Sequence, residues 1–478
     1  MSKGKHYIWS AVGQFGTQTV GFIGNILIAR ILMPDDYGLI AMVAIFMGLA
    51  MTFTDSGFAD CLIRKPDADR IDFGTVATFN IVIASFIYLA IFCSAPLIAS
   101  FFERPELIGI TRVISISILI KALNLTQITR LRKELLFKDL AIMLLQSSVI
   151  SVSITYILAL KGFGYWALVM QPVFISLLNL VYLVVVKKWI PFFKFNLERF
   201  REMFGFSINL LVSYITNTIG QNLYSIIIGK FYSVTSLGFY NQAKRMYEAP
   251  TYGINSVVLT TSYPMIAQER NLVKQRDMYI ALLRSFMTLQ SIIVFALIGL
   301  AEPVWLFLLG VKWISSVEFF KLFMLISLVY PLITVNQNIA KIHNEPKLYR
   351  NLTFLRNGLK IIALIVCAKS SLVAILYGQI IAAYVSVVVD IGLCGKIIDF
   401  GFGKQIKILL YTVIKPGIAF LVAYEVCNLV DGGVYLNGLI FAGTFMFSLT
   451  VIYIVTKDNV FFSFLRRAIT AFDMLRLP

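Results

Sequence analysis

The stretch GQFGTQTVGFIGNILIARILMPDDYG, residues 13–38, has a counterpart in SYITNTIGQNLYSIIIGKFYSVTSLG, residues 213–238. At this constant offset of 200, Ile8, Ile26, Ile28 and Gly38 recur as Ile208, Ile226, Ile228 and Gly238, and Arg30 answers to Lys230. The polar residues keep step. Gln14, Gln18, Gly21 and Asn25 share one helical face, and Tyr214, Thr218, Gln221 and Ser225 occupy the equivalent face. Further along, KGFGYWALVMQ (161–171) matches KSSLVAILYGQ (369–379) through Lys161 and Lys369, Leu168 and Leu376, and Gln171 and Gln379. These offsets make the repeat six spans long. Six is even, so both copies enter the membrane from the same side, which is the parallel kind of transporter repeat.

That the repeating units are membrane helices follows from composition. The chain has 478 residues, 59% hydrophobic and 14% charged, with a mean hydropathy of +0.82, whereas a soluble domain is roughly a quarter charged. One helical crossing takes about twenty apolar residues, and the apolar windows between polar breaks number about fourteen. The expected fold is an all-α polytopic membrane protein. Its parts are an N-lobe of six helices over 1–186, an interfacial linker helix over 187–203 and a C-lobe of six helices over 204–393. Two extra helices over 394–458 and a cytoplasmic amphipathic tail over 459–478 complete it.

The net charge of +17 raises the question of nucleic acid, and the positions of the charges answer it. Of the 42 lysines and arginines, only Arg30, Arg104, Lys161, Lys230, Lys312 and Lys369 fall in alternate connections; nearly all others outside the spans lie on the opposite side. Basic residues are retained on the cytoplasmic side during insertion, so both termini are expected there. The basic excess is a topology signal and nucleic acid is not expected. Five scattered cysteines and two histidines, His6 and His343, provide no metal or histidine-based catalytic constellation. No GxxxxGK[ST] phosphate loop is present.

Ionisable residues inside spans are costly, and so they mark function. The basic ones are Arg112, Lys121, Lys244, Arg245, Arg284, Lys321, Arg356, Lys360 and Lys415, against Asp55, Glu248, Asp390 and Glu425. This imbalance favours an anion such as a phosphate or diphosphate, which arginine's planar fork engages at two points. Lys244, Arg245 and Glu248 form the sharpest cluster, followed by Pro250, which is expected to open the helix. Its competing reading is an i, i+4 ion pair that serves packing. Lys321, Arg356 and Asp390 sit near span ends, where snorkelling to the headgroups accounts for them. Expected substrate contacts are Arg245, Lys244, Glu248, Gln14, Gln18, Asn25, Gln221, Arg112 and Arg284. Asp55 and Glu248 are the carboxylates suited to coupling with a proton or sodium ion. No other cofactor is expected.

The chain resembles the polysaccharide flippases of the multidrug, oligosaccharidyl-lipid and polysaccharide exporter superfamily, in the exopolysaccharide, colanic-acid and teichuronic-acid branch. The residues that carry the resemblance are RILMPDDYG from Arg30, DSGFADCLIR from Asp55, RLRKELLFKDL from Arg130, GFGYWALV from Gly162, IIIGK from Ile226 and LGFYNQAKRMYEAP from Leu237. The resemblance implies two six-helix lobes plus two peripheral helices, with the first, second, seventh and eighth helices around a central cavity bearing Lys244, Arg245 and Glu248. It implies a monomer in the bacterial cytoplasmic membrane that moves an undecaprenyl-diphosphate-linked oligosaccharide between leaflets, alongside membrane lipids and polysaccharide polymerase machinery. Where relatives often carry a charge just ahead of IIIGK, this chain has Tyr224 and Ser225. The alternatives are a multidrug exporter of the same superfamily and a membrane polysaccharide polymerase or ligase. The first would favour acidic over basic groups in its cavity, and the second would need a sizeable extramembrane segment with acid/base residues.

Overall fold

The computed structural model describes residues 3–189, 192–343, 345–430 and 432–458, and these contain helices and no strand. In order they are α1 (Lys3–Ile31), α2 (Pro34–Asp55), α3 (Phe58–Arg64), α4 (Arg70–Phe102), α5 (Glu106–Lys133), α6 (Phe137–Leu160) and α7 (Tyr165–Val181). After a π turn at Tyr182–Val186 come α8 (Leu197–Phe231), α9 (Val234–Gln268), α10 (Leu272–Gly299), α11 (Ala301–Leu308) and α12 (Ser316–Ser327). The last are α13 (Tyr330–Ile342), α14 (Pro346–Cys367), α15 (Leu372–Ile397), α16 (Phe402–Leu429) and α17 (Val434–Val455).

Local chemistry sets many of the boundaries. Asp69, Asn196, Asn271 and Ser371 cap α4, α8, α10 and α15 by accepting backbone N–H bonds from the first turn. At α2, Pro34 opens the helix and Asp36 Oδ2 accepts from the Met33 N–H at 2.8 Å. The repeat seen in the sequence recurs in the backbone. α1 ends at Ile31 and α2 begins at Pro34; α8 ends at Phe231 and α9 begins at Val234. At these matched junctions Gly38 and Gly238 are reciprocal. A Cβ on Gly38 would collide with the Val234 carbonyl, and one on Gly238 with the Pro34 carbonyl. Hydrogen there lets the two helix starts cross backbone to backbone.

The residues group into two units, 1–241 and 242–478. α8 and the start of α9, which open the second repeat, belong to the first unit. The reason is that α8 lies along α2 and reaches α4. Thr218 Oγ1 is 3.0 Å from Thr52 Oγ1, and Tyr214 donates to Asp60 at 2.6 Å. Lys230 donates to Glu103 Oε1 at 3.0 Å. In the second unit α16 and α17 pack through Ala419, Ala423, Phe441 and Phe445.

Polar side chains bond across helices inside each unit while large apolar side chains face outward. In the first unit Asn124 donates to the Ser176 carbonyl at 2.8 Å. In the second, Gln290 donates to Ser327 at 2.9 Å and Tyr279 to Asn336 at 2.7 Å. Phe86, Leu97, Leu439 and Phe447 are exposed. Exposed apolar side chains around a polar-bonded interior are the arrangement lipid requires. The chain is a multi-pass membrane protein.

Among the described residues, nine segments are long and apolar enough to cross a membrane. α1, α5, α8, α9 and α14 are as long, but are not among them, so hydropathy alone does not reach the expected count of about fourteen. These are helices that carry the polar stripes and many of the intramembrane charges, which need protein or water on one face. Two local expectations are corrected. α9 runs through Pro250 without opening. Residues 187–189 and 192–196 are not helical, because the Asn196 cap, accepting from Glu198 and Arg199, starts the helix only at Leu197. The expected tail over 459–478 lies outside the described residues.

Candidate functional site: a basic cavity in the second unit

The predicted cluster on α9 sits at the edge of a larger charged assembly. Lys244 Nζ lies 3.9 Å from Glu248 Oε1, both side chains half-buried, and Arg245 on the neighbouring face is exposed. One turn inward, Tyr247 stacks on Phe323 of α12 with ring centroids 5.0 Å apart, and its hydroxyl is 2.8 Å from that of Tyr330 at the start of α13. Tyr330 lines a cavity of about 240 Å³ with Thr334 and Gln337 of α13, Arg356 and Lys360 of α14, and Ser386 of α15. The Tyr247–Tyr330 contact thus joins the α9 cluster to the wall of the cavity that holds Arg356 and Lys360.

The cations here differ in role. Arg356 is buried and donates from Nη1 to Asp390 Oδ2 at 2.8 Å and from Nη2 to Thr353 at 3.2 Å. Gln337, with its amide oriented to satisfy both neighbours, accepts from Arg356 Nη1 at 3.0 Å. That pairing corrects the snorkelling expected for Arg356 and Asp390: each supplies the partner that lets the other stay buried. Lys360 and Lys244 are half-buried and carry the flexible ammonium groups of the assembly. Counting Lys244, Arg245, Arg356 and Lys360 against Glu248 and Asp390, the assembly is net positive. A partly desolvated cation surplus of this kind attracts an oxyanion, with charge-assisted N–H···O bonds as the means.

The sequence reading counted Lys360 among the intramembrane cations without placing it with the expected substrate contacts, and it missed the Tyr247–Tyr330 pair. The signal for Lys360 was available: Arg356 and Lys360 are one turn apart on α14, which is too polar to face lipid all round.

The other predicted residues distribute between the units. In the first, Gln14 and Gln18 are exposed on α1 and Asn25 is half-buried, so the stripe follows one open side of the helix. On α8, Gln221 is exposed and lies 3.5 Å from Asn217 Oδ1. Asp55, at the end of α2, has a buried Oδ1 with no hydrogen-bond partner among the described residues. Arg112 of α5 stands over the Phe92 ring of α4 at 4.4 Å and donates to the Phe92 carbonyl at 3.4 Å. In the second unit, Arg284 of α10 belongs to a separate cluster. Its Nη2 is 3.1 Å from Asp458, which Lys415 of α16 also contacts at 2.7 Å.

The profile of the family described as "Polysaccharide biosynthesis protein" matches residues 27–318. The chain belongs to that family. Among curated relatives, the teichuronic acid biosynthesis protein TuaB of Bacillus subtilis is 26% identical over 295 residues, 61% of either chain. The succinoglycan biosynthesis transport protein ExoT of Rhizobium meliloti is 26% identical over 306 residues, 64% of this chain and 62% of that one. The matches thus span about three fifths of the length of these relatives. Among solved structures, the lipid II flippase MurJ in an inward closed conformation aligns with a TM-score of 0.72 at 15% identity, covering 94% of this chain and 100% of that one. An inward-facing multidrug resistance MATE transporter of the MOP superfamily aligns at 0.61 and 16% identity, covering 82% and 98%. At these identities the likeness concerns the fold: this member of the family has the helical architecture that both transporters share.

Proposed function

We propose that the protein is a flippase that carries an undecaprenyl-diphosphate-linked oligosaccharide from the inner to the outer leaflet of the bacterial cytoplasmic membrane. The observation that carries this reading is a cavity within the membrane-spanning helices lined by Arg356 and Lys360, with the Lys244 and Arg245 segment of α9 joined to its wall through Tyr247 and Tyr330. A diphosphate headgroup cannot cross hydrocarbon unaided, and a cation-lined path lowers that barrier without covalent chemistry. Lys244, Arg245 and Lys360 engage the diphosphate, with Glu248 holding Lys244 in place between cycles. The polar stripes Gln14, Gln18, Asn25 and Gln221 are suited to sugar hydroxyls. Arg112 and Arg284, already engaged elsewhere, act in packing. The two six-helix repeats, divided at the 187–203 linker, rock in alternating access, and Asp55 and Glu248 couple that motion to a proton or sodium gradient. The chain acts as a monomer with both termini cytoplasmic, serving the polymerase machinery outside. It is a transporter and makes or breaks no bond in its cargo.

The test is reconstitution in vesicles with a fluorescent diphosphate-linked oligosaccharide lipid, following its movement between leaflets. One charge-assisted hydrogen bond contributes about 1.5–3 kcal/mol, so Lys244→Ala and Lys360→Ala should each slow the initial rate by roughly 10- to 100-fold, with Lys360→Arg retaining most of it. Unchanged rates in both alanine variants would remove the site. Movement of cationic dyes in place of the glycolipid would instead assign the chain to drug export.

A further inference from the structure

Where α4, α5 and the segment after α7 meet in the first unit, a cavity of about 570 Å³ opens, well away in the chain from the assembly described above. Its walls mix apolar and charged residues. Phe73, Ala77, Trp189 and Phe192 are apolar, Arg70, Arg130 and Lys133 are cationic, and Asp69 and Glu134 are acidic. A second cavity of about 380 Å³ shares Arg70, Gln127, Arg130 and Trp189 with the first, and adds Lys187 and Lys188. Both volumes fall in the range of about 300–1,000 Å³ typical of small-molecule sites.

The charges divide into spent and available. Lys133 donates to the backbone carbonyls of Leu62 and Lys65. Arg130 pairs with Glu134 at 2.6 Å and Lys187 with Asp139 at 2.7 Å. The Asp69 carboxylate accepts from the backbone N–H groups of Ile71 and Asp72. Arg70 and Lys188 have no carboxylate within ion-pair distance among the described residues. Arg70 instead stands over the Phe192 ring, 4.3 Å from its centroid, which positions the guanidinium while leaving its N–H groups for an acceptor.

We infer that these joined cavities bind an anionic phospholipid, with its phosphodiester on Arg70 and Lys188 and its upper acyl chain against Phe73, Trp189 and Phe192. Three features select a lipid over a free phosphate ion. The walls carry the aromatic rings of Phe73, Trp189 and Phe192, which an inorganic ion leaves unused. The site lies where α4 begins and α5 ends, at the level where spans leave hydrocarbon and indole rings settle. Basic pockets between helices at that level complement the acidic headgroups of the cytoplasmic leaflet. The site is independent of transport and stands or falls separately from the flippase reading.

The test uses the full chain in a neutral detergent, titrated with phosphatidylglycerol whose acyl chains are brominated near the headgroup, with tryptophan fluorescence as the readout. Saturable quenching by phosphatidylglycerol is expected, with at least tenfold weaker binding of phosphatidylcholine carrying the same chains. Trp189→Phe should remove the saturable component. Arg70→Gln combined with Lys188→Gln should weaken binding at least tenfold while leaving the thermal midpoint in place. Lys188→Gln alone, at an exposed side chain, carries the test should the double variant fold poorly, with a loss of at least threefold. Equal quenching by both lipids, wild-type affinity in the variants, or displacement by excess inorganic phosphate would each overturn the inference.

Discussion

Two single-residue features carry weight beyond their size. Gly38 and Gly238 permit the backbone crossing of α2 and α9 where no Cβ fits. Gly38→Ala or Gly238→Ala should cost about 1–3 kcal/mol through overpacking, read as a lower melting midpoint in detergent. The two losses should fall short of additivity when combined, because they open the same contact. The second feature is the buried pair of Arg356 and Asp390 at 2.8 Å. Asp390→Asn leaves a guanidinium buried without its counter-charge and should cost about 3–5 kcal/mol. Arg356→Met together with Asp390→Leu should cost less than either single loss of charge. A double variant as damaged as the sum of the singles would show that the pair matters for something other than mutual charge compensation.

Among elements, α4 shows how a helix start ties a loop to a charged network. Asp69 Oδ1 accepts from Ile71 and Asp72 at 2.9 and 2.8 Å, and Asp72 in turn takes Lys65 at 3.0 Å. Backbone hydrogen bonding from Asp72, then from Ile71, holds the Asp69 carboxyl below its ordinary range. A carboxyl lowered on folding contributes stability that is fully present above its unfolded pKa, near 3.9, and is lost as pH falls through the folded value. Asp69→Ala should therefore cost about 1 kcal/mol at neutral pH. That difference from wild type should shrink as the melting midpoint is followed from pH 6 down to pH 3; a gap of constant size would mean that the cap does not act as a carboxylate. The elements themselves were mostly legible. α8 ends and α9 begins where the 200-residue offset from α1 and α2 puts them, because the same turn residues and apolar faces recur. The linker at 187–203 was misread because alternating aromatic and basic residues suit an amphipathic helix equally well as a segment laid across helix ends. The continuity of α9 through Pro250 was likewise hidden, since a proline weakens a helix without deciding whether neighbours hold it.

For the whole molecule, the distribution of lysine and arginine makes a prediction about sidedness. In a background lacking Cys61, Cys93, Cys367, Cys394 and Cys427, cysteines at Lys161 and Lys369 should react with a membrane-impermeant maleimide added outside intact cells. Cysteines at Arg132 and Lys404 should react only after the membrane is opened. These side chains are all exposed. A mixed pattern within either pair would break the six-span period on which the repeat rests.

Membrane class, the all-helical architecture and the duplication were set by the chain's own residues, because hydropathy, helical spacing and a recurring offset are properties of neighbours in sequence. So was the family, through stretches such as RILMPDDYG and LGFYNQAKRMYEAP. Which charges serve function was decided only by folding. Arg356 and Asp390 are 34 residues apart and neutralise one another, Arg284 is drawn to Asp458, and Lys360 is brought into one cavity wall with Tyr330. Sequence spacing cannot tell a neutralised cation from an available one, because a charge's meaning in low dielectric depends on what lies within a few ångströms, and only the tertiary structure sets that distance.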